Sequence, residues 1–218
     1  VLCLGLFADF PERSTPAVAD PLWDDAVYIQ VDKGEGVIAG NNPRSLLLAV
    51  YRFLREVGCR WVRPGGDGEI IPAKILTDLT VSVSEQAAYR HRGLCIEGAV
   101  REENVRAIID WLPKVGMNAY FMQFREGFPF FQRWYEHKHN PQKRPENFSR
   151  EKARQIVRRL EGEIRKRGLL YHAVGHGWTC EALGIPGLGW EQRVTEETPA
   201  ELTPFLAEIK GQRQIWQG

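Results

Sequence analysis

The chain has 218 residues, with 29 Lys/Arg against 28 Asp/Glu for a formal net charge of +1, 43% hydrophobic and 26% charged residues. That composition excludes a disordered, collagen-like or disulfide-scaffold protein, and the balanced charge gives no overall field to draw nucleic acid or an acidic membrane. No apolar run approaches the roughly 20 residues that a membrane helix needs, so neither nucleic acid nor membrane is expected as a partner.

In chain order, residues 1–7 form a strand-like apolar run that opens without methionine, and both ends of the chain read as cut. Residues 28–31 alternate like a strand, turn through Asp32, Lys33, Gly34, Glu35 and Gly36, and return over residues 37–40 as a hairpin. Asn42 is placed to cap a helix with Pro43 at its first position. Leu46, Leu47, Val50, Phe53, Leu54 and Val57 make one apolar stripe that stops at Gly58. Residues 59–62 and 79–83 read as further short strands. Residues 1–40 hold seven Asp/Glu and two Lys/Arg. Residues 1–88 are therefore predicted to be a small α/β domain.

From Tyr89 the rhythm becomes strand, helix, strand, helix, strand, the pattern of parallel βαβ units. Strands are predicted at 92–96, 117–124 and 169–174. A helix is predicted over 102–115, with Val105, Ile108, Ile109 and Leu112 on one face, Pro113 near its end and Gly116 as its stop. The second strand runs into a long loop reaching Phe148. Ser149 then caps a helix that buries Ala153, Ile156, Val157, Leu160 and Ile164 and ends at Gly168. A glycine-rich loop is expected over 175–190. Thr198-Pro199-Ala200-Glu201 has the form of a capping box opening a last helix. Cys3, Cys59, Cys95 and Cys180 are widely spaced, and three of them sit in apolar strand-like runs. They read as buried free thiols, which leans toward a reducing, cytoplasmic setting.

In a (β/α) barrel the functional residues sit where strands end, on the carboxyl face. Three strand ends then converge: Glu97 after the first, Gln123, Arg125 and Glu126 after the second, His176 and Trp178 after the third. The run Tyr89-Arg90-His91-Arg92-Gly93-Leu94-Cys95-Ile96-Glu97, Met117-Asn118 opening the next strand, and Gly175-His176 after the third resembles the start of the catalytic barrel in β-hexosaminidase-like glycoside hydrolases. The preceding residues 36–54 and 59–65 are similar to the small α/β domain that precedes the barrel in hexosaminidases and α-glucuronidases. The combination is nearest a bacterial group of predicted carbohydrate-active proteins. The resemblance implies an α/β chain whose residues 89–218 are the first part of a (β/α)₈ barrel of about 250 residues, truncated here. It also implies an oligosaccharide or glycoside as substrate.

Carried over residue by residue, the resemblance gives Arg92 to the sugar hydroxyls, a role suited to a planar multi-donor guanidinium, and Glu97 to the position of the family's aspartate. The chain departs from the family at Phe121 and Gln123, where histidines stand, and at His172-Ala173-Val174, where acidic residues stand. The sugar is accordingly left open. The family's acid pair belongs to a fourth strand, so no catalytic acid is assigned here, and this chain alone is expected to be inactive. Phe128, Phe130, Phe131, Trp134 and Tyr135 would stack on sugar rings.

No cofactor is expected, and no metal: His172 and His176 on an extended strand would stand ~13 Å apart. Residues 133–167 hold 12 Lys/Arg against five Glu, interleaved with aromatics. That leaves two other readings. One is a non-catalytic carbohydrate-binding protein on the same fold. The other is nucleic-acid binding through the basic segment.

Overall fold

Alternation builds the first sheet. The computed structural model describes residues 1–95, 100–122 and 127–173. It begins with β1 (Leu2–Leu6), β2 (Ala26–Asp32), β3 (Glu35–Gly40), α1 (Pro43–Glu56), β4 (Arg60–Trp61), β5 (Glu69–Ile70) and β6 (Val81–Gln86). β2 and β3 form the expected hairpin, closed by two residues, Lys33 and Gly34, whose φ values of 49° and 76° are both positive. Such a mirror-image turn matches the right-handed strand twist. The strand order is β1-β3-β2-β6, with β1 parallel to β3 and the other pairs antiparallel.

Because strand side chains alternate, Val27, Ile29 and Val31 share one face of β2. With Ile38 and Val81 they pack on Leu48, Ala49 and Phe53 of α1. Full burial of such side chains contributes about 1.5–3 kcal/mol each. α1 starts as its sequence dictates: the Asn42 side chain accepts from the Ser45 N–H at 2.9 Å, with Pro43 in the first turn. Its approach to β3 is close enough that a Cβ at Gly40 would lie 2.2 Å from the Leu46 nitrogen. Cys59 is buried as expected. Cys3 and Cys95 are exposed, which corrects the expectation of buried thiols; β1, which carries Cys3, is an edge strand, and β7, which carries Cys95, is an end strand of the second sheet.

The remaining described elements are β7 (Gly93–Cys95), α2 (Glu102–Lys114), β8 (Ala119–Met122), α3 (Phe128–Tyr135), α4 (Arg150–Lys166) and β9 (Leu170–Ala173). The strands lie in the order β7-β8-β9. α2 lies between β7 and β8, and α3 and α4 lie between β8 and β9. The chain is thus a mixed α/β protein, and among the described residues this second sheet is open, with three strands. The apolar faces of α2 (Val105, Ile108, Ile109, Leu112) and α4 (Ala153, Ile156, Leu160, Ile164) are buried as their spacing predicts.

A further expectation is corrected. The segment after β8, read as loop to Phe148, contains α3. Its sequence Phe-Pro-Phe-Phe-Gln-Arg-Trp-Tyr has too few polar residues to display a helical period, and no side chain caps it. The predicted loop over 175–190 and the helix opening at Thr198 lie outside the described residues.

The chain divides into two compact units. The first holds Val1–Leu94, Glu103–Tyr120 and Leu160–Tyr171. The second holds the described residues within Cys95–Glu102, Phe121–Arg159 and His172–Gly218. The first unit therefore takes residues from both sides of position 88.

Candidate functional site

The second sheet has two ends, and the side chains at its amino end are fully engaged. Backbone hydrogen bonds set the strand starts in line: Asn118 N–H donates to Arg92 O at 2.8 Å, and Leu170 N–H to Asn118 O at 2.8 Å. Arg92 stands immediately before β7. Its Nη2 donates to Asp25 Oδ2 at 2.8 Å, its Nε to Gly116 O at 3.0 Å and its Nη1 to Tyr89 O at 2.6 Å.

Asp25 is the hub of this network and is 3% exposed. Its Oδ1 accepts from Arg44 Nε at 2.8 Å and Ser45 Oγ at 2.9 Å, and its Oδ2 accepts from Asn118 Nδ2 at 2.6 Å as well as from Arg92. Asn118 is fully buried. Its Oδ1 accepts the Arg92 N–H at 2.8 Å, and its Nδ2 also donates to Arg90 O at 2.7 Å. Burial alone would push the Asp25 carboxyl up. The Arg92 hydrogen bond, the Arg44 charge and the Asn118 and Ser45 hydrogen bonds outweigh it and hold the group below the usual carboxylate range.

Arg92, expected to hold sugar hydroxyls, has all three nitrogens of its guanidinium facing protein acceptors. Sequence reasoning missed Asp25, Arg44 and Ser45. Asn118 was visible as part of Met117-Asn118, but nothing local linked it to an aspartate 93 residues earlier.

Glu97, Gln123, Arg125, Glu126, His176 and Trp178 lie outside the described residues; in sequence they come within five residues after β7, β8 or β9. On the strands leading to them, the rings of Phe121 in β8 and His172 in β9 stack at 4.4 Å and 12° between planes.

The aromatic residues after β8 divide into two kinds. Phe130 and Phe131 are buried. Phe128 and Tyr135 stack on Phe148 at 6.0 and 4.6 Å, with Arg150 5.0 Å over the Phe128 ring and Lys152 5.0 Å over the Tyr135 ring. These four rings form packing, not a platform. Trp134 alone of the five is exposed, at 41%. The basic segment is likewise partly committed: Arg159 clasps Glu102 through two bonds of 2.7 Å, and Arg167 bonds Asp110 and Glu163.

Among the described residues no group of three or more His, Cys, Asp or Glu is placed to hold a metal ion. No described helix is long and apolar enough to cross a membrane. No family model matches the chain, and no curated protein matches it.

Proposed function

We propose that the chain is part of a carbohydrate-active protein, a glycoside hydrolase acting on O-glycosidic bonds, whose β7-to-β9 segment is the start of a (β/α)₈ barrel. One observation carries this reading: three sequential strands separated by helices, each followed in sequence by polar residues. A barrel uses the carboxyl ends of its strands for chemistry. Glu97, Gln123, Arg125, Glu126 and His176 supply carboxylate, amide, guanidinium and imidazole groups for sugar hydroxyls, and Trp178 supplies a stacking face.

Arg92 holds the opposite end together and is not part of the sugar site. No catalytic acid is assigned among these residues, since glycoside hydrolysis needs a paired carboxyl set.

Saturation-transfer NMR against a panel of neutral and acidic oligosaccharides tests the reading. Arg125→Ala and Trp178→Ala each weaken sugar binding by about tenfold or more, while Arg92→Ala lowers stability and leaves the affinity of the folded fraction unchanged. Equal affinity in wild type and both strand-end variants refutes it. Turnover of aryl glycosides separates an enzyme from a binding protein on the same residues.

A further inference from the structure

We infer that the outward face of α4 is a docking surface for an acidic helix of a partner protein. Gly162 lies on that face, and its surface neighbours on the same helix, at i−4, i−3, i+3 and i+4, are Arg158, Arg159, Arg165 and Lys166. All five are exposed, and their relative placement is set by the helix alone.

The charge of this face is uncompensated. Arg167, turned toward α2, bonds Asp110 and Glu163, and Arg159 clasps Glu102. The side chains of Arg158, Arg165 and Lys166 have no hydrogen-bond or ion-pair partner among the described residues. Glu161, half-buried at the margin of the face, pairs with none of them.

The glycine is a second, independent observation. Apart from proline, glycine is the residue least suited to a helix interior. Packing does not require it, since a Cβ built on Gly162 meets nothing within 4 Å among the described residues. Conformation does not require it either, because Gly162 is not among the glycines with positive φ. The helix dipole favours Arg165 and Lys166 in the last turn, but it accounts for neither Gly162 nor Arg158. A residue that breaks a local rule without an internal gain marks a functional contact, and a bare glycine lets another backbone come close.

The spacing selects the partner. Arg158 and Lys166 stand ~12 Å apart along the axis, so one phosphate or carboxylate cannot bridge them. Two carboxylates two turns apart on a helix stand about 10.5 Å apart and can. The row through residues 158, 162 and 166 is the kind of ridge on which packed helices interlock, with its groove at Gly162. A second copy using the same face would set cations against cations, which is costly. Nucleic acid fits less well: α4 has no aromatic residue for bases to stack on, and a net charge of +1 supplies no long-range field.

The test is fluorescence anisotropy with a helical peptide of about 16 residues carrying glutamates two turns apart, a scrambled peptide of the same composition, and single-stranded DNA. The helical peptide binds, and the scrambled peptide and the DNA bind about tenfold more weakly or worse. Gly162→Leu and the double variant Arg158→Gln/Lys166→Gln weaken the helical peptide by about tenfold or more, with circular dichroism showing both folded. Gly162→Ala raises the melting temperature. No binding of the helical peptide, equal binding of the scrambled peptide or the DNA, or full affinity in Gly162→Leu overturns the inference. So does a lowered melting temperature in Gly162→Ala, which would show that the fold itself requires the glycine.

Discussion

Asp25 is a buried carboxylate at the centre of the hydrogen-bond network of the first unit. A buried carboxylate is tolerable only if its lone pairs are satisfied, and here two cations, a hydroxyl and an amide satisfy them. Removing one member of a buried ion network leaves the others uncompensated and costs about 3–5 kcal/mol. Asp25→Ala is therefore expected to lose about that much in urea unfolding, close to the whole stability of many domains.

The pH dependence follows from the direction of the shift. The folded carboxyl ionises below its unfolded value of about 3.9. Its contribution is complete above that unfolded value and disappears as pH falls through the folded one. Unfolding free energy measured from pH 6 to 2 should fall more steeply for wild type than for Asp25→Asn. Parallel curves would show that Asp25 does not govern acid stability. None of this was readable in the sequence, where Asp25 is one acid in an acidic stretch. Its partners sit 19, 20, 67 and 93 residues away, and only folding brings them together.

Elements differ in how openly the sequence declares them, and α1 and α3 mark the extremes. α1 has a capping Asn42, a first-turn Pro43, one apolar stripe and a glycine stop, and the helix forms where those signals put it. α3 has eight residues, five of them aromatic, and takes its helical form without a polar face to reveal the period. Two measurements bear on this level.

The first is Asn42→Ala. The Asn42 Oδ1 accepts the Ser45 N–H, while its Nδ2 donates to Pro21 O and Asp24 O at 3.0 and 3.2 Å. Cap removal alone costs about 0.5–2 kcal/mol, and the two further bonds place this variant at the upper end. A loss below about 0.5 kcal/mol in chemical denaturation would show the cap to be idle. The second is Gly40→Ala. The added methyl meets backbone atoms of Ser45 and Leu46 at 2.2–2.7 Å, which cannot rotate aside, so β3 and α1 must separate. A melting temperature equal to wild type would contradict that packing.

At the scale of the whole molecule, the alternation of strand and helix after Tyr89 was legible because amphipathic spacing and glycine stops are local. Glu97, Arg125 and Trp178 stand out in the sequence as polar or aromatic residues after apolar runs, and they lie outside the described residues. The contacts of Arg92 show what such reading misses. An arginine beside a strand has the same local appearance at either end, and its role is decided by which acceptor the fold brings to it. The network at the amino end of the second sheet is structural, and the sugar role proposed for the residues that follow its strands is a separate claim.

The proposed sugar role is measured most directly on a glycan array probed with wild type, Arg125→Ala, Trp178→Ala and Arg92→Ala proteins. The account predicts retention of a defined set of glycans by wild type. Loss of about tenfold or more follows Arg125→Ala and Trp178→Ala, and no change in glycan preference follows Arg92→Ala. No glycan bound by wild type, or binding unaffected by Arg125→Ala and Trp178→Ala, would contradict it.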